Sequence, residues 1–254
     1  MKNFHYTVSI LIPTYNEAEN LPKLVSALFS LPLQGMRILV VDDNSPDGTG
    51  QVADALAESY SGNLSVLHRP GKMGLGTAYV QGFQAALKDG AEAVCQMDAD
   101  FSHPPELIPD LVDALQYCDV ALGSRYVPGG SVDRNWPMWR KGLSAFGNFY
   151  ARLILGLPVR DATGGYRAWR RETLLGMPLH LVRSSGYAFQ VEMTYIACKL
   201  GYRIKEVPFY FADRKWGLSK MSPRIQREAA IRVWQLLFEY RTLSRKVPQP
   251  DKSG

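Results

Sequence analysis

The chain has 254 residues, enough to bury one large core, and its 46% hydrophobic and 21% charged content is that of an ordinary globular protein. Its net charge of +5 is uneven: from Arg214 onward ten Lys/Arg stand against three Asp/Glu, which suits anionic lipid, a phosphorylated substrate or nucleic acid, and equally a solvated tail. The three cysteines, Cys95, Cys118 and Cys198, are too scattered for a disulfide framework or a Cys/His zinc site and fit a reducing setting, while no apolar run reaches the roughly 18–20 residues needed to span a bilayer.

In chain order, Val8–Ile12 (VSILI) reads as a buried strand ended by Pro13, and Glu17–Leu31 as a helix with Leu21, Leu24, Leu28 and Leu31 on one face. Arg37–Val41 is a second buried strand, closed by Asp42 and Asp43. A turn-rich NSPDGT segment then leads into a helix from about Gly50 to Tyr60. Leu64–Leu67, Ala93–Met97 and Val120–Leu122 are further strands, with helices near Thr77–Leu87 and Pro105–Leu115. A Gly/Pro loop (VPGGSVDRNWP) precedes a helix near Trp139–Leu155. After the turn-like DATGGYR come a helix near Tyr187–Leu200, a strand at Arg203–Pro208, a basic RKWGLSK loop and a helical Pro223–Tyr240. The alternation of strand and helix predicts an α/β fold with a largely parallel sheet covered on both faces, its ligands bound beyond the carboxyl ends of the strands.

The acidic residues fall at that edge: Glu17 after the first strand, Asp42/Asp43 after the second, Asp98 and Asp100 after a later one. Asp98-Ala99-Asp100 carries two carboxylates at i and i+2, a spacing that lets both share a hard cation keeping waters for a diphosphate. Such an ion neutralises charge on a leaving nucleoside diphosphate. A lone match of this kind is a weak signal and reads equally as a solvated turn; the second acidic pair strengthens it. Asp43 can accept from ribose hydroxyls or a base edge, whereas Asn44–Thr49 reads as turn and cap chemistry. Tyr15 offers a stacking face and Glu17 an acceptor. His103, beside the acidic motif in SHPPE, reads as structural at a helix start.

PTYNE, VVDDNSPDGT, GLGTAYVQGF, MDADFSHPPE, GSRY and RKWGLSK occur in the order found in glycosyltransferase family 2. Within it the chain resembles the polyprenol (dolichol) phosphate mannose synthases, from about Ser9 to Trp234. The resemblance implies a GT-A fold, GDP-mannose as donor, a Mg2+ or Mn2+ ion, and inverting transfer to a polyprenyl phosphate. It implies that Pro13, Tyr15, Glu17, Val41 and Asp43 hold the guanosine, and that Asp98, Ala99 and Asp100 meet the ribose, diphosphate and metal. Asp100 would be the direct ligand, with Ser102 a weaker one where some relatives have Gln. Arg125, Arg214 and Lys220 would clamp phosphates, and Arg140 with Ser144 would receive the acceptor phosphate. A phosphate acceptor is already an anion at neutral pH, with a second pKa of about 6, so a basic pocket replaces a general base.

The expected organisation is a catalytic domain over 1–220, an amphipathic interfacial helix over 221–243 and a disordered tail over 244–254. On the last helix Met221, Ile225, Ala229, Val233, Leu236, Leu237 and Tyr240 form an apolar stripe, which serves an interface or packing on the domain. The expected setting is peripheral, on the cytoplasmic face of a membrane, with a small membrane-anchoring subunit as a partner. No nucleic-acid motif is present. Two other readings stay open: a glucosyltransferase using a UDP-sugar with the same acceptor class, and a non-catalytic nucleotide-sugar-binding scaffold.

Overall fold

A computed structural model describes residues 6–212 and 223–244, with side chains omitted for 223–226. The elements in order are β1 (Val8–Thr14), α1 (Leu21–Phe29), β2 (Arg37–Asp42), α2 (Thr49–Ser59), β3 (Leu64–His68), α3 (Leu75–Lys88) and β4 (Ala93–Gln96). A short 3-10 turn, Pro105–Leu107, leads into α4 (Ile108–Ala114), followed by β5 (Val120–Ser124), β6 (Ser131–Val132), α5 (Met138–Leu155), β7 (Arg167–Arg170) and α6 (Arg171–Gly176). After a second such turn, Leu179–Leu181, come α7 (Gly186–Lys199), β8 (Ile204–Pro208), β9 (Tyr210–Phe211) and α8 (Pro223–Glu239).

The described strands form a seven-stranded sheet in the order β3-β2-β1-β4-β7-β5-β8, plus a small β6-β9 pair. Every pairing in the large sheet is parallel except those of β7, which runs antiparallel between β4 and β5 with Ala168 opposite both Cys95 and Ala121. Alternation along β1 divides the core. Leu11 joins Val41, Tyr79, Phe83, Trp169 and Phe189 on one face, while Ile10 and Ile12 join Leu24, Leu28, Val40 and Ile108 on the other. Both faces are covered, hence the near-continuous apolar runs of β1 and β2. Gly82 permits α3 to lie this close: a Cβ there would sit 2.3 Å from Leu11 Cδ1.

The predicted strands are all present, within a few residues at their ends. β7 is the omission. Its four residues, RAWR, hold two arginines and follow DATGGY, so they read as turn rather than as a strand at the middle of the sheet. α8 spans Pro223–Glu239, and Val233, Leu236 and Tyr240 of the expected apolar stripe are buried in the same core as α7. That face is used for packing. The expected tail, beyond Ser244, lies outside the described residues, as does Met221.

Candidate active site

The carboxyl ends of β1, β2 and β4 converge, and the backbone is strained at each. Among the described residues the non-glycine residues with positive φ are Asn16 (63°), Asn44 (54°) and Phe101 (62°), one beyond each strand end. Left-handed backbone is costly outside glycine and gathers where geometry is set for binding.

After β2, the two acids have separate duties. Asp42 holds the turn, its Oδ1 accepting from Ser45 Oγ at 2.6 Å and Thr14 Oγ1 at 3.1 Å. Asp47 accepts from the Thr49 backbone N–H and Oγ1, as turn chemistry predicted, although Gly48 occupies the cap position. Asp43 pairs with the buried Arg69, whose other nitrogen donates to Thr77 Oγ1 at 2.5 Å. Burial pushes the Asp43 carboxyl up, against the opposing pull of Arg69. Tyr15 lies half-buried under Lys72, whose Nζ is 3.8 Å from the ring centroid. Glu17 accepts from Asn20 Nδ2 at 2.8 Å, and Pro13 is half-buried at the end of β1. Val41 is fully buried in the core, so only its backbone could meet a nucleotide.

The acidic motif sits in the loop after β4. Asp98 is half-buried, with Tyr79 Oη 3.5 Å from its Oδ1, and its backbone N–H donates to His103 Nδ1 at 3.0 Å. That contact requires an unprotonated Nδ1, and the buried His103 ring stacks on Tyr166 with centroids 4.7 Å apart. His103 therefore holds the loop, as expected. Asp100 and Ala99 are buried beside it. Asp100 Oδ1 accepts from Ser102 Oγ at 2.6 Å and from Ser102 N at 3.0 Å, so Ser102 orients the carboxylate and its hydroxyl points there. No cluster of three or more His, Cys, Asp or Glu exists among the described residues. Two carboxylates of all-oxygen character, one of them locked by a serine, fit a hard cation that completes its shell with water and diphosphate.

At the end of β5, Arg125 is buried and held bidentately by Asp161, with Nε to Oδ2 at 2.8 Å and NH2 to Oδ1 at 2.7 Å. Its backbone N–H also donates to Asp161 Oδ2, and NH2 donates to Thr163 Oγ1. Burial alone would raise the Asp161 carboxyl, but Arg125 outweighs it and holds the acid below the ordinary range. The neighbouring Tyr126 Oη lies 2.9 Å from Ser144 Oγ on α5, which brings the expected acceptor serine next to Arg125. Arg140, one helical turn earlier, lays its guanidinium 3.7 Å from the centroid of the Trp136 ring. Aromatic contacts join the two ends of the site: Trp136 meets Phe211, and Phe211 meets both Arg125 and His103. Arg214 and Lys220 lie outside the described residues.

Several supporting residues were not read from the sequence. Arg69 and Asp161 neutralise predicted site residues. Arg167 is fully buried and donates to the carbonyls of Gly164, Ala162 and Gln190, fixing the DATGG turn; burial lowers its pKa to about 10, so it stays charged at neutral pH. Gln96 links Trp169, Gly165 and Gln190 beneath the acidic loop. The cysteines are free, and burial pushes the Cys95 thiol up to about 12 and Cys198 to about 11, which excludes them as thiolate nucleophiles near neutral pH.

Among curated proteins, the chain is 48% identical over 225 residues to a polyprenol monophosphomannose synthase of Mycolicibacterium smegmatis, covering 88% of this chain and 84% of that one. It is 45% identical over 242 residues to an undecaprenyl-phosphate mannosyltransferase of Micrococcus luteus, covering 94% and 98%. Among solved structures, glucosyl-3-phosphoglycerate synthase from Mycobacterium tuberculosis in complex with Mn2+, UDP and glucosyl-3-phosphoglycerate superposes with a TM-score of 0.65 at 18% identity. That match covers 92% of this chain and 80% of the other. The same enzyme with Mn2+, UDP-glucose and phosphoglyceric acid gives 0.66 at 17% identity, covering 95% and 82%. These likenesses show the GT-A-type fold. The glycosyl transferase family 2 model matches residues 9–175, across the strained strand ends, the acidic loop and the Arg125–Asp161 pair, and the chain belongs to that family.

Proposed function

We propose that the protein transfers mannose from GDP-mannose to a polyprenyl phosphate, with inversion at the anomeric carbon. Two relatives with nearly half their residues identical carry mannosyltransferase names, each with a polyprenyl-type acceptor. The observation that carries the chemistry is at the acceptor end. Arg125, Tyr126 and Ser144 come together there, and the adjacent carboxylate, Asp161, is fully committed to Arg125 and Thr163. A hydroxyl acceptor would need a base to take its proton. A phosphate monoester needs none: its oxygen attacks the anomeric carbon, the bond to the donor diphosphate breaks, and the electron pair leaves with the diphosphate.

Asp98 and Asp100 would hold Mg2+ or Mn2+, which when bound supplies Lewis-acid stabilisation of the leaving diphosphate. Ser102 keeps Asp100 oriented, and His103 and Tyr79 position Asp98. Tyr15, Glu17 and Asp43, with the Val41 backbone, form the nucleoside end. Arg140 and Ser144 would receive the acceptor phosphate, and Arg214 and Lys220, outside the described residues, would clamp the donor phosphates with Arg125. A lipid acceptor calls for a site that reaches a membrane, and the reading includes a peripheral setting on the cytoplasmic face; no described helix is long and apolar enough to cross a bilayer. The test is transfer from labelled GDP-mannose to a short polyprenyl phosphate, with and without Mn2+ or Mg2+, beside UDP-glucose. Transfer from UDP-glucose in place of GDP-mannose would reassign the donor.

A further inference from the structure

The helix α7 is buried from Ala188 to Ala197, and in its middle stands a carboxylate that no step of the proposed reaction uses. Glu192 is fully buried, and two other parts of the chain satisfy it. From the loop before α7, the Ser184 N–H donates to Oε2 at 2.8 Å and the Arg183 N–H to Oε1 at 3.4 Å. From α8, Tyr240 Oη donates to Oε1 at 2.8 Å and Arg232 NH2 at 3.1 Å. Arg232 closes the cluster, its Nε donating to Ser184 Oγ at 2.8 Å and its NH1 pairing with Glu239 at 2.7 Å. Ser184 is therefore pinned to both α7 and α8.

The pinned loop is the support on which α3 begins. A Cβ on Gly76 would sit 2.2 Å from the Ser184 carbonyl oxygen, and one on Gly74 3.4 Å from Ser185 Cβ, so the loop lies directly on the first turn of that helix. Two side chains at this end of α3 belong to the site. Thr77 accepts from Arg69, the partner of Asp43. Tyr79 reaches Asp98 with its Oη and stacks on Phe189 of α7, with centroids 5.5 Å apart and planes 3° from parallel. The start of α3 thus serves both the Asp43 and the Asp98 ends, and Ser184 and Phe189 set where it rests.

We propose that Glu192 is a positioning residue for the donor site. By fixing Ser184 against α3 it holds Thr77 and Tyr79 in register with the Arg69–Asp43 pair and Asp98, and Arg232 and Tyr240 of α8 complete the hold. A buried ion pair adds little net stability over apolar side chains of the same volume, so its use here lies in the geometry it fixes. The inference rests on the reading of Asp43 and Asp98 as the nucleoside and metal ends of one donor site.

The experiment compares Glu192→Leu with Glu192→Gln in the full chain. Both remove the charge, but only the glutamine keeps an acceptor for the Ser184 N–H. Calorimetry with GDP and with UDP, each in excess Mn2+, first identifies the nucleotide that wild type binds. Its Kd is expected to rise about tenfold or more in Glu192→Leu and less than about threefold in Glu192→Gln. Amide hydrogen exchange at residues 74–79 should quicken in the leucine variant and stay near wild type in the glutamine one. In the transfer assay the donor KM should follow the Kd, while the acceptor KM stays within about twofold. Should Glu192→Leu not fold, Arg232→Gln at its half-buried site takes its place, with an expected rise of about threefold or more. An unchanged Kd in the folded variant, equal losses in the leucine and glutamine variants, or donor and acceptor KM rising together overturns the proposal. Wild type that binds neither nucleotide fails the donor reading itself and takes the proposal with it, a result seen before any variant is measured.

Discussion

Asp161→Asn tests whether Arg125 acts as half of a buried pair or as a free phosphate clamp. Both partners are buried, and Asp161 accepts the Arg125 backbone N–H, two guanidinium nitrogens and the Thr163 hydroxyl. Removing one charge from such a pair strands the other, which costs about 3–5 kcal/mol. For a chain of this size, roughly 2–4 °C of melting temperature per kcal/mol makes this a drop of about 6–20 °C. The assay is denaturant unfolding and calorimetry of both proteins across pH. The Asp161 carboxyl is held low in the folded state, so its stabilisation is present above the unfolded pKa of about 3.9 and is lost as pH falls through the folded value. The gap between wild type and Asp161→Asn should therefore be full at pH 7 and shrink below about pH 4. Arg125→Met/Asp161→Leu should recover much of the lost stability but little of the activity. A single variant within about 1 kcal/mol of wild type at pH 7 would refute the reasoning and return Arg125 to the substrate as an independent cation.

Asp100→Asn should lower kcat by about a hundredfold or more with the fold retained, measured as transfer under saturating metal and checked by circular dichroism. Ser102→Ala should raise the half-saturating Mn2+ concentration about ten- to a hundredfold and leave kcat at saturating metal nearly unchanged, since its hydroxyl orients Asp100; an unchanged metal titration would count against that role. Arg140→Ala should raise the acceptor KM roughly ten- to a hundredfold with the donor KM unchanged, and an unaltered acceptor KM would remove it from the phosphate site.

What was legible in the sequence is what periodicity and position at a strand end can carry. β1, β2, β4 and β5 are largely apolar, with Ser9 the one polar residue inside the apolar stretch of β1, and turn residues and acids follow the first three, so the sheet and its acidic edge can be read directly. The central strand β7 cannot, because its burial comes from its neighbours: Arg167 and Trp169 are tolerated at full burial only because Gly164, Ala162, Gln190 and Gln96 satisfy their polar atoms. A four-residue pattern contains no trace of those partners. The site shows the same division. Asp43, Asp98 and Asp100 announce themselves by type and spacing, and Arg125 and Ser144 by resemblance to the family, whereas Arg69, Asp161 and Arg167 are distant in sequence and read locally as loop or turn, and Gln96 reads as one more position of a buried strand.

The distinction changes the electrostatics of the site. Counted from the sequence, Asp43 is a bare acid and Arg125 a bare cation; in the fold each already has an opposite charge in contact, so neither brings a full unit charge to a ligand. The Arg140 guanidinium lies over the Trp136 ring, which fixes its direction, and it stands one helical turn from the serine held by Tyr126. What the fold adds at this end is direction: Ser144 lies within hydrogen-bond distance of Tyr126 and Arg140 is stacked on Trp136, so both side chains are oriented in advance of any ligand.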